Sequence, residues 1–285
     1  MTDSGRSLCY LHGSVLLFGG TALFAKLIPL PALEITVFRC VVAALFLASF
    51  LLVSGKKLRL ACGKDYLIAL FLGVLVGFHW VTYFAAMQLA GIAIGMIALF
   101  SFPVMTVVLE PLFNKQLPHK ADLFAAVAVL AGIILMVPAP SFGNEVTLGI
   151  ATGLFSALLY TLRNIFHKRL FSRYSGPQAM SYQTAVAAII LSALLEIPPT
   201  DVSPHSWMLL ALLGILFTAM PHAMVAESLR KLPAKTVGLV SCLQPLYGTL
   251  AAIWILNEYP SLTTVIGGSI VISAAIWETW RAQRR

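Results

Sequence analysis

The chain has 285 residues, of which 59% are hydrophobic and only 11% charged, with a mean hydropathy of +0.91. Soluble domains carry roughly 45–50% apolar and about 25% charged residues, so these charges are too few to cover a water-exposed surface. That excludes a soluble enzyme, a nucleic-acid binder and a disordered adaptor, and predicts an all-α polytopic membrane protein. The formal net charge of +8 needs another explanation, which its distribution along the chain supplies.

A bilayer core of about 30 Å takes about 20 apolar residues per helix. Runs of that length predict ten spans, at 11–28, 32–53, 66–87, 90–112, 121–138, 147–167, 176–195, 207–226, 236–255 and 261–280. The connections are short and hold Pro, Gly or charge, leaving no room for a soluble domain. No cleavage motif follows the first run, which is expected to be a retained helix rather than a signal peptide. Cys9, Cys40, Cys62 and Cys242 show neither a CxxC nor a ligand spacing, so they are expected to be reduced.

Cytoplasmic loops collect Lys and Arg. With the N-terminus inside and ten spans alternating, sixteen of the 19 basic residues fall on the inner side. They are Arg6; Lys56, Lys57, Arg59 and Lys64; Lys115 and Lys120; Lys168, Arg169 and Arg173; Arg230, Lys231 and Lys235; and Arg281, Arg284 and Arg285. The outer loops hold Glu145, Glu196, Asp201 and Glu258 instead. The positive charge is therefore topology. It predicts both termini in the cytoplasm, a bacterial-type inner membrane and no nucleic-acid partner.

The chain repeats itself. A shift of 142 lays Pro103 on Pro245 and Pro118 on Pro260, and a shift of 141 lays Gly73 on Gly214. Each half, 1–143 and 144–285, holds five spans. Five is odd, so the halves run in opposite senses. Inverted repeats of this kind mark secondary transporters, with the substrate site near the midplane between them.

The residues GGTALFAKL in span one, FRCVVAALF in span two, FHWVTYFAAMQLAGIAIG across spans three and four, FSFPVMTVVLEPLF, LVSCLQPLYGTLAAIWILNEYPS and VIGGSIVISAAI occur in the order and duplication of a known family. The chain resembles EamA-type members of the drug/metabolite transporter superfamily over about 11–138 and 147–280. The resemblance implies ten helices in two inverted five-helix repeats, with spans one to four and six to nine around a central cavity and spans five and ten peripheral. It also implies outward movement of small metabolites by alternating access. Two departures stand out: Phe18–Gly19 replaces the family's frequent Trp-Gly, and Gln116 stands where an acidic residue is usual, although its repeat mate Glu258 keeps it.

Ionisable groups in a bilayer cost about 2.5–3.5 kcal/mol near its centre on insertion scales, and so mark functional positions. Lys26, Glu34 and Arg39 are candidates for gating or anion recognition. The plainer reading is snorkelling, with Glu34 neutralising one of the two cations. Arg163, near the inner end of span six, is expected to snorkel. Glu110 either couples transport to protons or pairs with Lys115 or Lys120.

His79 and His222 fall at nearly equivalent places in spans three and eight. They are read as substrate contacts, proton relays or hydrogen-bonded packing residues. No further ligand completes a metal set, so neither metal nor cofactor is expected. Trp80, Tyr83, Tyr160 and Tyr247 suit an aromatic-walled cavity, with Tyr182, Gln183 and Gln244 as uncharged polar tips. Gly91, Gly95, Gly149 and Gly153 have the GxxxG spacing that lets helices approach closely. Pro103 and Pro245 are expected to kink spans four and nine, freeing the Leu99 and Ser241 carbonyls towards the cavity.

The leading expectation is a secondary transporter that exports a small amphipathic metabolite such as an amino acid, with a small molecule and the bilayer as partners. Import or exchange of a nucleotide-like or cofactor-like metabolite is the alternative, with Lys26, Arg39 or Arg163 as anion contacts. Another class, an intramembrane enzyme, lacks HExxH and has only Ser101 with His79 as an open dyad. A channel fits the paired prolines less well than a rocking carrier. No Gly-rich phosphate loop suggests ATP drive. Proton coupling and homodimerisation are left open.

Overall fold

The computed structural model describes residues 3–113, 115, 117, 120–136, 144–231, 240, 241 and 243–283. These residues are helical wherever they are regular, without a strand among them. The helices are α1 (Asp3–Thr21), α2 (Phe24–Leu27), α3 (Ala32–Val53), α4 (Gly63–Ala90), α5 (Ile92–Leu99), α6 (Phe102–Phe113) and α7 (Lys120–Met136) in the first half. The second half has α8 (Glu145–Leu170), α9 (Gly176–Ser192), α10 (Pro204–Gly214), a π segment (Ile215–Ala219), α11 (Met220–Lys231), α12 (Gln244–Leu256) and α13 (Leu262–Gln283).

Among the described residues, six stretches are long and apolar enough to cross a bilayer: Ser7–Leu27, Ala32–Val53, Gly63–Ala90, Ile92–Phe113, Glu145–Leu170 and Pro204–Val225. They coincide with predicted spans one to four, six and eight. Of the other four predicted ranges, α7, α9 and α13 occupy three, and α12 occupies the fourth from Gln244 onwards, residues 236–239 and 242 of that range lying outside the described residues. Side chains such as Leu45, Leu67, Phe124, Ile189 and Trp254 are exposed around the bundle, as suits helices solvated by lipid.

Local chemistry sets the boundaries. The Asn144 side chain accepts from the Val146 N–H at 2.9 Å to open α8, and Ser203 does the same for Ser206 at 3.1 Å to open α10. Cys62 and Asp65 form a reciprocal capping box at the start of α4. Gly91, at φ +88°, makes the sharp turn that separates α4 from α5.

At the expected kink before Pro103 the α-helix is interrupted by a short turn. Span four is interrupted between Leu99 and Phe102, and Pro103 is the second residue of α6. Pro245 lies in the first turn of α12. Proline suits a first helical turn because its missing N–H would be unpaired there in any case. Leu99 is only 5% exposed and lies in the apolar core with Met96 and Phe100, whereas Ser241 is half-buried. Span one is also broken, between α1 and α2. In span eight, Pro221 has no N–H to give the Phe217 carbonyl; the Thr21 hydroxyl donates to that carbonyl at 3.1 Å instead.

Packing follows the repeat. Exchanging span one with six, two with seven, three with eight, four with nine and five with ten maps the observed contacts onto one another. The α4–α8 contact has its counterpart in α1–α11, α4–α9 in α3–α10, and α5–α8 in α1–α12, while α3–α9 and α7–α13 map onto themselves. The glycines show it at atomic scale. Gly73 on α4 lies against Val186 and the Gln183 carbonyl of α9, and Gly214 on α10 lies against Val42 and the Arg39 carbonyl of α3. Gly149 and Gly153 meet Ala90 and Ala98, so the GxxxG spacing serves helix approach as expected.

Candidate functional site

The polar side chains meet where α3, α4, α8, α9 and the π segment converge. His79 is 3% exposed, and its Nδ1 lies 3.1 Å from the Ser156 carbonyl and 2.8 Å from the Ser156 hydroxyl. The same hydroxyl donates to the His79 carbonyl at 2.8 Å. A carbonyl only accepts, so Nδ1 carries the proton and Nε2 is the acceptor in the neutral ring. His222 is held likewise, with Nδ1 donating to the Thr218 carbonyl at 2.7 Å. The two imidazoles therefore share one tautomer, each fixed from the main chain.

Aromatic rings enclose them. His79 stacks on Tyr160 with centroids 4.6 Å apart, and His222 packs edge-on against Phe18 at 4.6 Å. Phe18 and Tyr160 are 142 residues apart, so each half contributes one imidazole packed on a ring from the first helix of the opposite half. Trp80 touches His222 at 5.2 Å, and its ring also lies 4.8 Å from the Arg39 guanidinium carbon. Phe84 stands on that guanidinium at 4.5 Å.

Arg39 is 1% exposed and meets the π segment through Nη1, which donates to the Thr218 hydroxyl at 3.5 Å. A π turn is uncommon and occurs frequently at functional sites. Here it presents three acceptors: the Phe217 carbonyl to Thr21, the Thr218 carbonyl to His222 and the Thr218 hydroxyl to Arg39.

Arg163 does not snorkel. Its Nε donates to Gln183 at 2.8 Å, Nη1 to Asn164 at 3.0 Å and Nη2 contacts the Met180 sulfur at 3.0 Å. A long stem folded inward keeps all three nitrogens occupied at an interior site, which is a lower-energy use of the side chain than a lone charge near lipid.

The remaining sequence candidates divide. Trp80, Tyr83 and Gln183 are buried at the centre, and Gln244 approaches the Tyr83 hydroxyl without completing a hydrogen bond. Tyr182 lies elsewhere, edge-on to Tyr66 and packed against the buried cluster of Leu60, Leu72 and Phe171 near the basic end of the bundle. Tyr247 packs with Leu11 and Val15 between α1 and α12. Lys26 is exposed. Glu34 neutralises neither Lys26 nor Arg39; it is buried, and its Oε1 accepts the Glu196 N–H at 3.3 Å. Glu110 pairs with Lys168 at 3.4 Å, rather than with Lys115 or Lys120, and its side chain is 39% exposed.

Ser156, Thr218 and Phe84 escaped the sequence reading, which noticed Phe18 only as a departure from the family's Trp-Gly and not as a site residue. Phe18 was within reach of it through its repeat mate Tyr160, and Ser156 through Ser14 at the same shift. Thr218 depends on a π turn that no local pattern announces. Glu258, seen in sequence only as the retained acidic mate of Gln116, caps the half-helix α5 by accepting the Ile92 N–H at 2.6 Å; Gln116 itself lies outside the described residues.

Apolar helices in two inverted halves, with half-helices and buried polar groups between them, define a polytopic membrane transporter fold. The model of the EamA-like transporter family matches the chain twice, over residues 5–137 and 147–279, and the chain belongs to that family. Over 267 residues it is 24% identical to the threonine/homoserine exporter RhtA of Escherichia coli (strain K12), covering 92% of this chain and 86% of the relative. Over 238 residues it is 24% identical to the uncharacterized transporter YxxF of Bacillus subtilis (strain 168), covering 81% and 76% respectively. A solved crystal structure superposes over 99% of both chains with a TM-score of 0.69 at 18% identity, a likeness of fold.

Proposed function

We propose that this transporter is a secondary carrier that exports a small amphipathic metabolite, an amino acid or a close relative, across a bacterial-type inner membrane. The observation that carries the reading is the mirrored packing of the two halves around a buried polar centre. Two halves related in this way rock against each other about a fixed site, exposing it first to one side and then to the other. The broken spans one and four, and the π segment in span eight, supply the local bends such motion uses. Export of amino acids is favoured by the similarity to RhtA, which spans nearly the whole chain. The distribution of Lys and Arg favours a cytoplasmic position for both termini.

The test compares metabolites in cells that lack the protein and cells that overproduce it, followed by uptake into vesicles containing the purified chain. An amino acid that accumulates inside the deletion strain, and that the vesicles take up, supports export. Turnover of lipid or peptide by the purified protein supports an intramembrane enzyme instead.

A further inference from the structure

Arg39 is fully enclosed, yet only part of its guanidinium is used. Nη1 reaches Thr218, while Nε and Nη2 are buried without a hydrogen-bond partner. These two nitrogens lie along one edge of the planar group, the edge whose parallel N–H bonds form a two-pronged fork for a carboxylate. Trp80 and Phe84 occupy its surroundings at 4.8 and 4.5 Å. Rings of this kind favour the charge of the cation but offer no oxygen or nitrogen lone pair to the free edge.

No counter-ion meets Arg39 among the described residues. The ion pairs found there join Lys168 to Glu110 and Arg173 to Asp65. Glu34 precedes Arg39 by five residues on α3, which places it about 140° around the helix, and its Oε1 is engaged with Glu196. The other buried guanidinium, Arg163, is occupied by Gln183, Asn164 and Met180. An uncompensated buried charge is strongly unfavourable unless a partner arrives, and in a membrane span it marks a ligand path.

We propose that Arg39 recognises the carboxylate of the transported molecule: its Nε–Nη2 edge, caged by Trp80 and Phe84 and steadied by Thr218 of the π segment, forms a bidentate pair with that group. This rests on the transporter reading and narrows its substrate class to monocarboxylates of amino-acid type. One free fork matches one carboxylate; a polyphosphate or nucleotide calls for several cations at the same place. The fixed tautomer of His222, which shares Trp80 and Thr218 with Arg39, leaves Nε2 as an acceptor for the ammonium group of a zwitterion.

The experiment uses the purified full chain in detergent and a panel of threonine, homoserine and leucine, each beside its carboxamide and its decarboxylated amine. At least one free acid is expected to raise the melting temperature of the wild type, and its amide and amine to leave it unchanged. Arg39→Gln should weaken the acid by about ten- to a hundredfold, while its ligand-free melting temperature is at or above that of the wild type because an unmatched cation has gone. Thr218→Val, which keeps the charge but frees Nη1, should weaken the acid several-fold and serves as the second probe should Arg39→Gln not fold.

Stabilisation by amides or amines equal to that by acids overturns the proposal. So does a wild type that none of the acids stabilises, or an Arg39→Gln or Thr218→Val protein that binds the acid as the wild type does. Flux through reconstituted vesicles separates the two levels. Acids that bind through Arg39 but never cross the bilayer contradict transport and leave the site standing. Acids, amides and amines that all cross at one rate, in wild type and Arg39→Gln alike, contradict the site and leave transport standing.

Discussion

Replacing Gly73 or Gly214 with valine tests the mirrored packing of the two halves. A Cβ at Gly73 would lie 2.5 Å from the Val186 Cβ and 3.2 Å from the Gln183 carbonyl oxygen. One at Gly214 would lie 2.7 Å from the Val42 Cβ and 2.9 Å from the Arg39 carbonyl oxygen. Carbon atoms rest at about 3.5–4.0 Å, so each helix pair must part by about 1 Å or strain its side chains. The obstacles include backbone, which cannot rotate away. Overpacking of this kind costs about 1–3 kcal/mol, against which the better helix propensity of valine over glycine returns only a few tenths. Both variants should therefore melt lower in detergent, by about 2–4 °C for each kcal/mol. Gly63→Ala, where nothing lies within 4 Å, should match the wild type. Wild-type melting of both valine variants refutes the close approach, and a severe loss at one site with none at the other refutes the symmetry.

Ser156→Ala should lower stability by less than about 1 kcal/mol, because the Ser156 carbonyl still accepts from His79; a larger drop in thermal melting means the hydroxyl does more than orient the ring. Glu258→Ala removes the cap on α5 and should cost about 0.5–2 kcal/mol in the same assay, while Glu258→Gln, whose amide oxygen still accepts the Ile92 N–H, should lose only a minor part of that. If Glu110 couples transport to protons, Glu110→Gln abolishes flux driven by a pH gradient and spares exchange, whereas unchanged gradient-driven flux leaves it as the partner of Lys168.

Much of this architecture is legible in the sequence because a bilayer imposes it. Length and apolarity mark the spans, and an odd number of spans per half makes the repeat inverted. The helix interruption before Pro103 follows from its missing N–H, and both Pro103 and Pro245 stand in the first turn of a helix. Individual side chains are harder to place. Tyr182 and Gln183 are neighbours on α9, yet about 100° of helical rotation sends one towards Tyr66 and the other to the centre. Arg163 turned inward because Gln183 and Met180, distant in sequence, meet it there. Hydropathy alone carries no such information, since every face of these spans is apolar.

Counterflow tests alternating access most directly. Vesicles containing the purified protein are loaded with an unlabelled amino acid and diluted into a trace of the same compound carrying a label. A carrier that exposes one site alternately to each side exchanges internal for external molecules, so the label should rise above its equilibrium level inside and then decay. If, for every amino acid that crosses, the label only drifts to equilibrium, the alternating-access account is contradicted.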